Sequence, residues 1–350
     1  MSTIRDISFR SVVRPLRVVF ATAQGKKRMM QSIIVRVVLT DGSTGLGECP
    51  TSISLNREST GVVCSMLHEM KQQFQGIPIQ HYEPAIRKFR TEYSEYPMTI
   101  SGIEVALFRA GLAYKKLTEH AYWGGKNRVV QSDITIPFVT DRSFLEHWIR
   151  YASQREFKVY KLKVSGNIEH DKKVLSEVHY MLRKAVEEFT LCLDGNEGYS
   201  KEAFCRFVDY IQANNIKIEF FEQPLARNDY QGLKEIKELS PFPIILDETV
   251  ITSSDAQRVA EEGIAHGVNI KIAKSGIGES AAILAIAKKH KLKMMIGCMT
   301  ESMIGLSAAV YLAAGTDVFD YIDLDSVFLL YHKNRFGNLL LRGPCFEIQP

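Results

Sequence analysis

Cysteine is scarce and unpatterned in this chain: Cys49, Cys64, Cys192, Cys205, Cys298 and Cys345 form no CxxC pair and no short secreted framework. A disulfide scaffold is therefore excluded, and the thiols read as small core residues in a reducing compartment. No segment approaches about 18 uninterrupted apolar residues, and the opening MSTIRDISFRSVV has no apolar signal region. Neither a membrane span nor an export signal is expected, which leaves the cytoplasm. An excess of one charge is missing too. The formal net charge is +4, and the one dense basic cluster, Lys26-Lys27-Arg28, is short enough to be a solvated loop. That gives nucleic acid no footprint.

What is present is 350 residues, 45% hydrophobic and 24% charged. This is enough for a (β/α) barrel of about 200–250 residues and a smaller companion. The first part is strand-rich: Ile4–Val13, Gln31–Leu39 and Thr44–Glu48, with Asp41-Gly42 as a turn, predict an antiparallel meander. From Ser59 to about Leu117 the apolar period becomes helical. Residues 1–125 thus read as an α+β domain. After Trp123-Gly124-Gly125 short apolar runs alternate with amphipathic helices. Eight runs are candidate strands: Gln131–Pro137, Lys158–Val164, Thr190–Asp194, Lys217–Glu222, Pro243–Asp247, Gly267–Lys271, Lys293–Gly297 and Phe319–Asp323. They predict a (β/α)7β TIM-type barrel over 126–325, leaving 326–350 to return to the first domain.

The strand ends carry the chemistry. Lys163, Asp194, Glu222, Asp247, Lys271 and Asp323 close successive apolar runs. A charge at a strand end is poor core material, but the C-terminal strand ends of such a barrel form its active-site face. Any one acid could be a loop cap. On three consecutive strands, Asp194, Glu222 and Asp247 repel one another unless a cation sits between them, and an all-oxygen site suits Mg²⁺. Asn196 and Glu248 stand next to these acids, placed to orient them. Lys161 and Lys163, two apart on one strand, point to one face. Lys271 lies across the ring. A lysine beside a metal and a second lysine has its ammonium disfavoured, which brings it toward use as a base. Two bases flanking a metal carboxylate site describe removal of an α-proton from one face and its return to the other; enolase-superfamily sites with a Lys base and Mg²⁺ are the general pattern being matched.

The motifs Lys161-Leu162-Lys163, Asp194-Gly195-Asn196, Glu222-Gln223-Pro224, Asp247-Glu248-Thr249 and Asn269-Ile270-Lys271 resemble, in order and spacing, the muconate-lactonising subgroup of the enolase superfamily. The resemblance spans the barrel, and the first 120 or so residues look like that family's capping domain. It implies one Mg²⁺ on Asp194, Glu222 and Asp247, with Lys163 and Lys271 as the acid/base pair. Lys161 would neutralise the substrate carboxylate. Asp323-Leu324-Asp325 on the last strand resembles the mark of the dipeptide epimerases, where the pair holds the substrate's α-ammonium. Gly297–Ser302, with Met299 and Thr300, is similar to that branch's seventh-strand loop. The implied reaction is 1,1-proton transfer at the Cα of a dipeptide's C-terminal residue through an enediolate, by a homo-oligomer acting on a small molecule.

Two departures stand out. After Lys271 the chain reads Ile272-Ala273-Lys274-Ser275-Gly276, where relatives usually carry Gly-Gly. The change is expected to alter the loop and not the chemistry, with Lys274 a strand-edge charge as readily as a site residue. Ala-Glu epimerases also carry an arginine in the first capping loop, and the aligned position here is Gly25. Lys26 or Lys27 could meet an acidic side chain in its place. N-acylamino-acid racemase, o-succinylbenzoate synthase and a degenerate barrel serving as a binding protein remain the alternatives.

Overall fold

The structure is a computed structural model that describes residues 1–139, 141–331 and 335–350. Its chain opens on a long antiparallel hairpin, β1 (Ile4–Thr22) and β2 (Gly25–Leu39), continued by β3 (Thr44–Pro50). These strands run well past the Val13 and Gln31 limits read from apolar content. Beyond Val13 the hairpin reaches out of its own sheet and packs on the barrel, burying Leu16, Val18 and Met30 in the barrel's core cluster. Helices α1 (Thr60–Phe74), α2 (Glu83–Glu92) and α3 (Pro97–Tyr114) cover one face of the sheet around a core that includes Ile33, Val35, Leu67 and Phe89. Close approach is built in by glycine: a Cβ on Gly47 would lie 1.9 Å from the Gly102 carbonyl oxygen. So α3 sits directly on β3.

The short helix α4 (Glu119–Tyr122) and β4 (Val129–Gln131) lead into the barrel. Its strands are β5 (Ile134–Ile136), β6 (Val159–Lys163), β7 (Thr190–Asp194), β8 (Phe221–Glu222), β9 (Ile244–Leu246), β10 (Gly267–Ile270), β11 (Lys293–Gly297) and β12 (Tyr321–Asp323). Between them run α5 (Arg142–Ser153), α6 (Ile168–Ala185), α7 (Lys201–Ala213), α8 (Tyr230–Leu239), α9 (Ser253–Glu262), α10 (Ile272–Lys289) and α11 (Met303–Thr316). The eight strands form one parallel sheet in sequential order. The ring closes where the Asp133 amide donates to the Ile322 carbonyl (3.0 Å). This is the (β/α)-barrel with an α+β companion that the alternating sequence predicts. The run Gln131–Pro137 is the exception. It divides, β4 leaving the barrel to pair with β15 (Cys345–Ile348) in a sheet with β13 (Arg335–Phe336) and β14 (Leu339–Arg342). Before those strands, Leu330 bridges Leu16 of the first hairpin and accepts from Arg17 Nε (2.9 Å).

Charged side chains fix the first domain over the barrel. Glu48 of β3 accepts from the amides of Ser302 and Gly305 (both 2.9 Å), at the start of α11, where anions are favoured. Arg109 of α3 donates to the Ile304 carbonyl (2.6 Å) and to Ser307 Oγ (2.7 Å). Glu104 of α3 pairs with Arg90 (2.5 Å) and takes the Gly278 amide (2.9 Å). With these contacts made, the hairpin tip leans over the C-terminal strand ends, and Gln24 Nε2 donates to the Asn196 carbonyl (3.1 Å) and to Glu197 Oε1 (2.7 Å).

Candidate active site

The predicted strand-end charges meet at one barrel mouth, all of them buried. Lys163 pairs with Asp194. Lys161 pairs with Asp323, lies 3.0 Å from Glu222 Oε2 and 3.7 Å from Asp194 Oδ2. Lys271 donates to Asp247 Oδ2 (2.6 Å) and is 3.9 Å from Glu222 Oε1. Room for Lys271 comes from Gly297, where a Cβ would fall 2.8 Å from Lys271 Cε. Each lysine is therefore paired with an acid of the ring. Among the described residues, the three carboxylates with oxygens within 4.8 Å of one another are a different set, Asp133, Asp323 and Asp325.

This pairing sets the electrostatics. Burial disfavours the Lys271 ammonium, but Asp247 and Glu222 more than offset it and hold its pKa well above the usual value. Lys161 is raised in the same way by Asp323, Glu222 and Asp194, against its burial. That is the reverse of the lowering expected for a base, because each lysine is the counter-ion of the acids beside it. Asp247 is correspondingly low despite burial, held by Lys271 and Lys274. Glu222 is pushed up by burial and by Asp194, with the lysines opposing.

The flanking residues take distinct places. The Asn196 amide donates to Asp194 Oδ1 (3.0 Å), and its side chain donates to Glu248 Oε1 (3.1 Å). Burial, then Asp247 and Asp194, push Glu248 up to about 8. Met299 and Thr300 line the cleft, as do Lys161, Lys163, Lys271, Asp323 and Asp325. Gly25 and Lys26 do not. Gly25 pairs with Thr22 at the hairpin tip, and Lys26 points to solvent. The lysine that enters the cleft is Lys27, whose Nζ donates to the Thr51 carbonyl (3.2 Å).

Several further residues, to which the sequence assigns no definite role, reach the site or its walls. Lys274 is no strand-edge charge: its Nζ donates to Asp247 Oδ1 (2.6 Å) and to the Asp247 carbonyl. The departure after Lys271 therefore touches the site. Asn269 donates to Glu222 Oε1 (2.7 Å). Asp133, at the start of a strand, and Thr135, whose amide donates to Asp325 Oδ2 (2.6 Å), had no strand-end signal. Glu301 has its pKa pushed up to about 8 by burial and by Glu48.

The donor set fits a hard divalent cation. Asp194, Glu222 and Asp247, buried at the ends of three consecutive strands, offer only oxygen, the chemistry such a cation takes. The cleft lies between the strand ends and Phe20, Thr22, Lys27 and Thr51–Ser54 of the first domain.

Residues 143–341 match the family model described as Enolase C-terminal domain-like. The chain belongs to the enolase superfamily. Its relatives place it in the dipeptide epimerase branch, and it is an isomerase. The L-Ala-D/L-Glu epimerase of Thermotoga maritima is 30% identical over 323 residues, covering 91% of each chain. The aromatic dipeptide epimerase of Herpetosiphon aurantiacus is 30% identical over 348 residues, 99% of this chain and 96% of that one. The dipeptide epimerase of Enterococcus faecalis, solved with Mg and the dipeptide L-Leu-L-Tyr, superposes with a TM-score of 0.89 at 26% identity, covering 99% of this chain and 97% of that one. No helix among the described residues is long and apolar enough to cross a membrane.

Proposed function

We propose that this chain epimerises a dipeptide at the Cα of its C-terminal residue by a two-lysine proton transfer. One observation carries the reading. Lys163 leaves the end of β6 and Lys271 the end of β10, four places apart in an eight-stranded ring, so the two amines address the cleft from opposite sides. A substrate Cα held between them has one amine on each face. Removal by one and return by the other inverts the centre.

Asp194, Glu222 and Asp247 would hold a magnesium ion, in keeping with their all-oxygen chemistry. Bound there, the ion supplies positive charge for the negative charge that grows on the substrate carboxylate as the α-proton leaves. Lys161, buried between Glu222 and Asp323, is placed to neutralise that carboxylate. Asp323 and Asp325 supply the opposite charge and would take the free α-ammonium in charge-assisted hydrogen bonds. Asn196, whose side chain donates to Glu248, orients Asp194 through its backbone amide. The sequence-related epimerases and the Mg-dipeptide complex of the E. faecalis enzyme support the same reading.

The test is a small dipeptide library in D₂O with Mg²⁺, read by NMR for loss of the α-proton and by chiral analysis for inversion. Dipeptides with a free N-terminus should exchange and invert, and their N-acetyl forms should be poor. N-succinyl or N-acetyl amino acids reacting better than every dipeptide would replace this reading with the racemase one.

A further inference from the structure

Asp133 lies inside the barrel, outside the lysine–acid ring described above. Three hydrogen bonds fix it there by tying β5 to β12: Asp133 N to the Ile322 carbonyl (3.0 Å), Leu324 N to Ser132 Oγ (2.8 Å) and Thr135 N to Asp325 Oδ2 (2.6 Å). Asp133 is two residues before Thr135, so both side chains share the inner face of the strand. Its carboxyl group is 3% exposed and lies with those of Asp323 and Asp325 inside a 4.8 Å cluster.

The hydrogen bonds leave two oxygens over. Asp323 is held by Lys161 through Oδ2, and Asp325 Oδ2 takes the Thr135 amide. Asp133 Oδ1 and Asp323 Oδ1 are both buried and without a donor. Two ionised carboxylates have acceptors only, and such a pair satisfies itself when one oxygen carries a proton. The charged and titratable groups facing Asp133 are Lys161, Asp323, Asp325 and the Cys192 thiol. Lys161 donates to Asp323 and Glu222 and not to Asp133, which has no ion-pair partner among the described residues. We propose that Asp133 is a positioning residue of the ammonium subsite, a carboxylic acid that donates its proton to Asp323 Oδ1. Asp323 then meets the substrate as one fixed carboxylate, with both oxygens oriented before binding. Burial and the neighbouring Asp323 raise Asp133 well above the usual carboxyl range, in the direction this requires. The shared proton stands on the geometry alone; the word ammonium rests on the dipeptide reading.

The amide of asparagine donates a hydrogen bond as a carboxylic acid does and cannot ionise, so Asp133→Asn should do the work of Asp133. Its kcat and KM for a free dipeptide should stay within about 3-fold of wild type. Asp133→Ala, which leaves a buried carboxylate oxygen unpaired, should raise KM about 10- to 100-fold with a smaller change in kcat. A second readout needs neither turnover nor the alanine variant to fold. The infrared difference spectrum between wild type and Asp133→Asn should contain a protonated carboxylic acid band that shifts in D₂O. Asparagine as damaging as alanine would overturn the proposal, since the negative charge itself would then be required. A spectrum with no lost carboxylic band would overturn it as well. If the wild type turns over no dipeptide, the dipeptide reading fails alone and the infrared band still decides the state of Asp133.

Discussion

The two walls of the cleft are built on opposite principles. On the barrel side every lysine is engaged: Lys161, Lys163, Lys271 and Lys274 each pair with a buried carboxylate. On the capping side Phe20, Thr22 and Ile53 present apolar and hydroxyl surface, and Lys27 pairs with no carboxylate among the described residues. Interlocked charges on rigid strands leave one arrangement open to the reacting groups, which is what proton transfer needs. A hairpin whose cleft-lining cation, Lys27, pairs with no carboxylate among the described residues can change its partner without disturbing the ring. Chemistry and choice of substrate are thus assigned to different walls, and the contrast can be attacked from either side.

The hardest blow falls on the acids. Chelator, Glu222→Gln or Asp247→Asn should remove α-proton exchange from both epimers of any substrate, since each deletes charge that the reaction needs. Added Mg²⁺ should restore the chelated enzyme and not the variants. Full turnover in excess chelator would sink the magnesium role.

Next come the bases. Lys163→Ala and Lys271→Ala should each lower epimerisation by about 10²–10⁴-fold. Each should still exchange the α-proton of one epimer, and the two variants should differ in which one. Exchange from the same epimer in both would show that the amines do not serve opposite faces.

Why this wall was legible in sequence, and the other was not, follows from the same contrast. A charge ending an apolar strand is conspicuous, and parallel barrel topology carries all such ends to one rim. Lys163, Asp194, Glu222, Asp247, Lys271 and Asp323 needed no more than that, and Lys161 shares the face of Lys163 two residues away. Asp133 begins its strand, and only closure of β5 on β12 brings it opposite Asp323. Lys274 lies in the first turn of α10, and its reach to Asp247 depends on the helix starting at once after Lys271. The capping hairpin hides more. Pairing runs Pro15 with Met29 and then Phe20 with Lys27, so a bulge of extra residues in β1 breaks the register. Alternation counted from the body of the strand cannot pass through that bulge. Which of Lys26 and Lys27 faces inward was therefore not a sequence-level fact.

The ammonium pair gives an intermediate effect. Asp323→Asn with Asp325→Asn should harm free dipeptides about 30- to several-thousand-fold in kcat/KM and N-acetyl forms much less. Burial, then Asp323, push Asp325 up to about 6. The group is neutral below that pH and charged above it. KM for a free dipeptide should accordingly fall as pH rises through about 6, and Asp325→Asn should flatten that limb.

The smallest effect belongs to the capping wall and tests the contrast most directly. Burial pulls Lys27 down to about 8, a cost that an anion beside it would relieve. A dipeptide with an acidic side chain should be favoured over its neutral counterpart by about 10-fold in kcat/KM, the scale of one partly exposed charge pair. The sign with pH follows from the ammonium. Below about 8 it is charged and the preference is present; above 8 it loses its proton and the preference fades. Lys27→Met should abolish the preference at every pH while leaving exchange of neutral dipeptides near wild type, because the lysine–acid ring is untouched. Lys26→Met, on the exposed face of the same strand, should change neither. Equal loss in both variants would mean that the tip acts through general surface charge, and the division of labour between the walls would fail at this residue.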